Sequence, residues 1–345
     1  MVPWRKLLDS CFEASHSLHP KHVLATVISV NGHAYGKPGT AMLISENGAS
    51  LGSISPGCME QDLAARVPEM LKNRQAQIAV YDLASEDDPM WGAASGCGGS
   101  LTVLLEPVEG ELMQTLLQIR EQLAADESVV LKRTGTIQGK TVQLNYQLET
   151  VRERCGNEEA GAILVAGFPA EFPEAAKSGQ EASQFRFDSL FAPDPQLLLF
   201  GAGNDAMPVA ALAAQCGYRV AVADWRAGLC TTERFPAAER LLLCGWAVEE
   251  LAELRLGNAD CAVVMSHQLE RDRAALEQLA KQPMRSVGIM GSAVRISRLL
   301  AGFTVPAWFR YPVGLAIGAR GQEEIAVSIA AELIALRRMG PVGRR

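Results

Sequence analysis

The chain has 345 residues, of which 48% are hydrophobic and 21% charged, a composition that suits an ordinary globular protein with room for two cored domains. Its net charge of -7 offers no broad cationic field for a polyanion, so neither nucleic acid nor an anionic membrane surface is expected as a partner. The opening segment has no apolar stretch with a small-residue cleavage site, and no window reaches the roughly 18 consecutive apolar residues of a membrane span, so a cytoplasmic protein is expected.

Apolar positions at helical spacing (Trp4, Leu7, Leu8, Cys11, Phe12) predict a first helix over residues 3 to about 18. "HVLATVISV" then switches to a β pattern, followed by the Gly/Pro loop "NGHAYGKPG" and two short strands in "TAMLIS" and "SLGSIS". After "SPG" the pattern turns helical. Cys58 therefore stands at or next to a helix N-terminus, a location that favours the thiolate, with Glu60 and Asp62 in the first turn complementing the dipole. "AVYDL" reads as a strand, and Cys97 lies on a glycine loop that feeds the long strand of "SLTVLLEP". A helix is expected from Glu111 to about Ala125, then a two-stranded ribbon around a glycine turn in "SVVLKRTGTIQGKTVQLNYQLE".

Residues 1–150 thus form an N-terminal mixed α+β domain. Residues 151–194, rich in turn formers, are expected to be connecting material, with a boundary at Pro193-Asp194-Pro195. From 195 to 345 strands and helices alternate, which predicts an α/β fold of the Rossmann-like, doubly wound, parallel-sheet kind, closed by a helix over roughly Glu323 to Arg337.

Eight cysteines without CxxC spacing read as mostly free thiols, with Cys216, Cys244 and Cys261 as packing residues. Cys58 and Cys97 differ because both sit on glycine turns. Four readings stand open for them: a structural disulfide, a zinc site with His33 as a further ligand, two inert thiols, or a pair converging on a soft or sulfur-reactive ligand.

In the second domain Gly201, Gly203 and Ala206 have the GxGxxG/A spacing directly after an apolar strand, and Asp224 ends the next strand. The glycines would bring a phosphate to a helix N-terminus and Asp224 would hold a ribose hydroxyl, or the glycines serve the strand-to-helix turn alone. Asn204 is a candidate N-cap. Ser266 and His267 close a buried strand at the edge where open α/β sheets bind ligands; Gly291, Ser292 and Arg295 belong either to the same crevice or to ordinary βα loops.

Gly57-Cys58-Met59-Glu60, Gly96-Cys97-Gly98-Gly99 running into Leu104-Leu105-Glu106-Pro107, Phe200-Gly201-Ala202-Gly203, Asp224-Trp225-Arg226 and the terminal "PVGLAIGARGQEEIAVSIAAELIA" together resemble the XdhC/CoxI family. Those proteins are bacterial accessory factors of xanthine dehydrogenase and related molybdenum hydroxylases. The resemblance implies a non-catalytic chaperone that binds the molybdenum cofactor, as molybdopterin or a dinucleotide form, and supports its sulfuration by a cysteine desulfurase. It then inserts the cofactor into an apo xanthine dehydrogenase-type hydroxylase, and is expected to act as a homodimer. Cys58 and Cys97 would flank the metal, with Gly57, Glu60, Gly98 and Gly99 around them. Gly201, Gly203, Asn204, Asp224, Arg226, His267, Gly291 and Ser292 would bind the rest of the cofactor. The loop "NGHAYGKPG" stands where an arginine-bearing sequence is common in the family, Pro56 replaces a glycine, Asn204 a frequent histidine and Ala316 an acidic residue; with that Arg and His absent, Lys37, His33 or His267 would substitute in an anion pocket. The alternative reading is an NAD(P)-dependent oxidoreductase built on the second domain.

Overall fold

The structure is a computed structural model that describes residues 4–13, 21–32, 35–55, 57–82, 99–151 and 183–339. Described residues through Pro193 belong to one compact unit and those from Asp194 onward to a second.

The first unit is built on an antiparallel sheet of eight strands: β1 (His22–Gly32), β2 (Ala41–Ser45), β3 (Ser50–Gly52), β4 (Ala76–Asp82), β5 (Gly99–Pro107), β6 (Ser128–Gln138), β7 (Thr141–Val151) and β8 (Ser183–Phe191). They run in the order β3-β2-β1-β5-β4-β7-β6-β8. Successive side chains of a strand face opposite sides, and the sequence uses both. Val23, Ala25, Val27, Met42 and Ile44 pack on helix α2 (Cys58–Asn73) through Met59, Leu63, Val67 and Met70. The intervening Leu24, Ala41 and Leu43 pack on α1 (Trp4–Glu13) and α3 (Gly110–Ala124) through Leu7, Leu8, Leu112 and Leu116. Each buried Leu or Val contributes about 1.5–3 kcal/mol, so β1 and β2 are held from both faces.

β8 corrects the expectation of connecting material over 151–194. Residues 183–191 pair with β6 along nearly its whole length, from Val129 opposite Phe191 to Ile137 opposite Ser183. Phe185, Phe187 and Phe191 are the buried alternate residues that dock the strand.

In the second unit, six parallel strands, β9 (Gln196–Phe200), β10 (Arg219–Asp224), β11 (Ala238–Leu243), β12 (Cys261–Val264), β13 (Ser286–Ile289) and β14 (Phe309–Arg310), stand in the order β11-β10-β9-β12-β13-β14. Leu197, Leu199, Val220 and Val222 face α4 (Ala206–Gln215) and α7 (Gly321–Met339). Leu198, Phe200, Ala221 and Ala223 face α5 (Leu269–Leu279), α6 (Ala293–Leu300) and a 3-10 turn at Glu249–Leu254. Burial on both faces explains why the central strands β9, β10, β12 and β13 are apolar without alternation. The order reverses between β9 and β12, which leaves a crevice beyond their carboxyl ends. Burial pushes the thiol of Cys244 up to about 12 and that of Cys261 up to about 11, so both are inert packing residues. No helix among the described residues is long and apolar enough to cross a membrane.

Candidate functional site

α2 begins at Cys58 itself, preceded by Gly57 at φ 135°, where a Cβ would meet only open space. The turn before it is fixed by Glu60. Its Oε1 accepts from the backbone N–H groups of Ile54 (3.0 Å) and Ser55 (2.7 Å) and from Ser53 Oγ (2.9 Å), while Oε2 accepts from Ser55 Oγ. Ser55 Oγ in turn accepts from Gly57 N (3.2 Å) and Met59 N (3.4 Å). Burial opposes the charged form of Glu60, but these hydrogen bonds outweigh it and hold the carboxyl below its ordinary value. Glu60, expected among the ligand-binding residues, is thus committed to shaping the turn. Its role was missed because a first-turn carboxylate reads equally well as a partner of the helix dipole.

Gly36 passes so close to Ile54 that a Cβ would lie 2.8 Å from the Ile54 carbonyl oxygen, tying the loop after β1 to the same turn. Gly99 opens β5 opposite Gly32, at that end of β1. Lys37 is exposed and its N–H donates to Thr40 Oγ1 (3.1 Å). The side chain of Cys58, and His33, Pro56, Cys97 and Gly98 altogether, lie outside the described residues.

In the second unit the structure gathers the predicted residues at the switch-point crevice. Gly201, at φ 116°, leaves β9 so close to β12 that a Cβ would lie 2.5 Å from Ser266 Cα. Only glycine fits there. Gly203 has open space around its own missing Cβ. Asp205 follows in the turn and meets His267 across the crevice, Oδ2 to Nε2 at 3.3 Å. His267 holds a left-handed backbone at φ 63°, uncommon for a residue with a side chain and the kind of local strain that collects at functional sites. Behind it Ser266 Oγ donates to the fully buried Asp272, and Arg295 Nη2 donates to the other oxygen of Asp272 at 2.6 Å. Burial raises the Asp272 carboxyl despite the bonds from Ser266 and Arg295. Ser292 caps α6 by accepting from Arg295 N (3.3 Å), and Gly291 at φ 146° lies against the Arg295 side chain. Asp205 and Asp272 escaped the sequence reading; their signal was their place directly after the Gly201 turn and in the first turn of the helix after Ser266.

Two expectations change. Asn204 does not cap α4: the cap position is Asp205, without a side-chain cap bond, and Asn204 Oδ1 instead accepts from Arg234 Nη2 (3.0 Å). Arg234 comes from an irregular stretch that carried no signal. Asp224 is fully buried and already engaged, accepting from Ala202 N (2.6 Å), Arg226 N (2.8 Å), Arg226 Nε (2.9 Å) and Arg226 Nη2 (2.7 Å). Burial opposes its ionisation, yet the Arg226 guanidinium and these N–H groups hold its carboxyl below the ordinary value. A ribose diol would find no free acceptor on it. Ala316 lies exposed in the loop before α7.

Residues 197–333 match the family model described as the XdhC Rossmann domain, and residues 19–82 that of the XdhC and CoxI family. The chain is 35% identical to a probable xanthine dehydrogenase subunit of Bacillus subtilis over 98% of both chains. It is 23% identical over 91% of its length to the "Molybdenum cofactor insertion chaperone PaoD" of Escherichia coli, 83% of which is covered. A crystal structure described as a xanthine dehydrogenase from Bacillus halodurans superposes with a TM-score of 0.80 at 31% identity, over 98% of this chain and 96% of that one.

Proposed function

The chain belongs to the XdhC and CoxI family, and from that membership we propose that it is a molybdenum-cofactor chaperone for a xanthine dehydrogenase-type hydroxylase. Its cargo is the pterin-based cofactor, in molybdopterin or dinucleotide form. The chaperone shields it while a cysteine desulfurase supplies sulfur to the metal, then releases it to the apoenzyme. It acts as a homodimer and turns over no substrate of its own.

The observation that carries the reading is the position of Cys58 as the first residue of α2, on a turn locked by Glu60. A thiol at a helix start is favoured as thiolate, and thiolates suit soft metal and sulfur chemistry. The Glu60 clamp supports this role because it fixes the backbone that presents Cys58. In the second unit the turn from Gly201 to Asp205 leads into a helix N-terminus, which favours an anion such as the cofactor's phosphate. His267 Nε2 lies 3.3 Å from Asp205 Oδ2, so the carboxylate nearest that turn is engaged across the crevice. The engagement of Asp224 by Arg226 and Ala202 counts against an NAD(P) dehydrogenase.

A carrier must hold its cargo yet yield it to a tighter acceptor, and each 1.4 kcal/mol between them is about tenfold. The test is to load the purified protein with molybdenum cofactor anaerobically, then quantify molybdenum and pterin after desalting. Retention in the wild type that falls in Cys58→Ser and Cys97→Ser proteins supports the proposal. No retention in the wild type overturns it, and undiminished retention in the double variant removes the thiols from the mechanism.

A further inference from the structure

Away from the β9/β12 crevice, the carboxyl ends of β10 and β11 carry a cluster for which the carrier reading has no use. The Arg271 guanidinium is in contact with two indoles, its Cζ 4.2 Å from the Trp246 ring centroid and 4.9 Å from that of Trp225. Its Nη1 donates to the Gly245 carbonyl at 2.7 Å, and Glu250 Oε1 accepts from Gly245 N at 2.9 Å, so the turn bearing Trp246 is pinned from two directions. No carboxylate among the described residues forms an ion pair with Arg271. Trp246 is nevertheless exposed (63%), as are Leu243 three residues before it (58%) and Leu269 two residues before Arg271 (41%).

We propose that this is a stacking platform, with Trp246 as its face and Arg271 as its charge, for a planar heteroaromatic ring that bears phosphate. A fixed, exposed indole offers its face to any flat π system. A guanidinium beside it with no carboxylate partner among the described residues selects for negative charge. The carboxyl edge of an open parallel sheet is where such folds take their ligands. The platform is also wired to the glycine turn. Arg226 lies over Trp225, its Cζ 4.6 Å from the ring centroid, and grips Asp224, which accepts from Ala202 N within that turn. An exposed Trp with Arg and Leu nearby is equally a composition for a protein contact, but a contact surface does not require the guanidinium to stand on the indoles without a carboxylate partner. A nucleotide and a phosphorylated pterin share the required chemistry. The inference rests on the carrier reading only for the natural occupant.

The test is calorimetric titration of the full-length protein with AMP, GMP and CMP, their nucleosides, and neopterin with and without its phosphate. At least one phosphorylated ring should bind, and Trp246→Ala should weaken it by about tenfold or more, while Trp246→Phe retains most of the affinity. Arg271→Gln should erase the preference for the phosphorylated form. Which probe binds distinguishes nucleotide from pterin. Unchanged circular dichroism in Trp246→Ala is expected from its exposure. Failure of every ring to bind, or binding indifferent to Trp246→Ala, overturns the platform, as does a Trp246→Ala protein that keeps ring binding but loses its acceptor enzyme. Cofactor retention is measured on the same proteins. A wild type that retains no cofactor but binds a ring through Trp246 sinks the carrier reading alone; full retention without ring binding through Trp246 sinks the platform alone.

Discussion

Arg133 and Glu106 meet with both side chains fully buried, Arg133 Nε lying 2.9 Å from Oε1 and 3.2 Å from Oε2. Arg133 Nη1 also donates to Ser189 Oγ (3.0 Å), and the Tyr146 side chain hydrogen-bonds Glu106. The pair links β5 to β6 near the seam where β4 joins β7 at only Ala76 opposite Val142 and Gln77 opposite Thr141. Removing one partner leaves an uncompensated charge in the core. Arg133→Met should cost about 3–5 kcal/mol, and adding Glu106→Gln should restore a large part. Urea unfolding of the single and double variants checks this; equal losses in both would contradict it.

The two glycines of the second unit's turn separate fold from ligand. Gly201→Ala puts a Cβ against the Ser266 backbone at a positive φ, and should destabilise by about 2–4 kcal/mol. Gly203→Ala meets nothing within 4 Å and should leave the melting temperature unchanged. If the turn receives the cofactor, Gly203→Ala lowers retention all the same. A stable protein with full retention would place the cargo elsewhere.

Glu60 and Asp224 give the fold an acid limit. Both carboxyls are held below their ordinary values, so their stabilisation is complete above the unfolded values of about 4.3 and 3.9 and fades as pH falls through the depressed folded ones. The stability gap between wild type and Glu60→Gln or Asp224→Asn should be widest at neutral pH and narrow below about pH 4. Denaturant titrations at several pH values measure the gap; one that stays constant would show that these groups do not titrate with folding.

With Asp224 engaged, neither NAD nor NADP should bind at the Gly201 turn in the micromolar range, and Asp224→Ala should unfold more readily because Ala202 N–H and Arg226 lose their partner. Fluorescence titration with NADH reads the first and thermal melting the second. Micromolar NADH affinity that persists in Trp246→Ala would revive the dehydrogenase reading.

Much of this architecture was legible in the sequence. The apolar runs of β9, β10, β12 and β13 and the glycines at turn spacing predict a doubly wound sheet because strands buried on both faces lose their alternation. β8 was hidden: its inward Phe185, Phe187 and Phe191 alternate as a strand should, but they follow a long run of turn formers. Sequence spacing placed Cys58 at the head of a helix, since its signal is local. The partners of Glu60, Asn204 and Asp224 were harder to read, because a hydrogen bond from Arg234, thirty residues away from Asn204, leaves no periodic trace.

The placement of β9 in its sheet bears on how the protein is made. Translation delivers Gln196–Phe200 first among the strands of the second unit, yet that strand lies between β10 and β12. One of its edges stays unpaired until Cys261–Val264 has left the ribosome, whereas the first unit has its last described strand, β8, before β9 is synthesised. The nascent second unit therefore spends the longer time with an apolar edge exposed, a hazard during slow parallel pairing. Ser266 and His267 come later still, so a half-made chain has the glycine turn but not the opposite wall of the crevice.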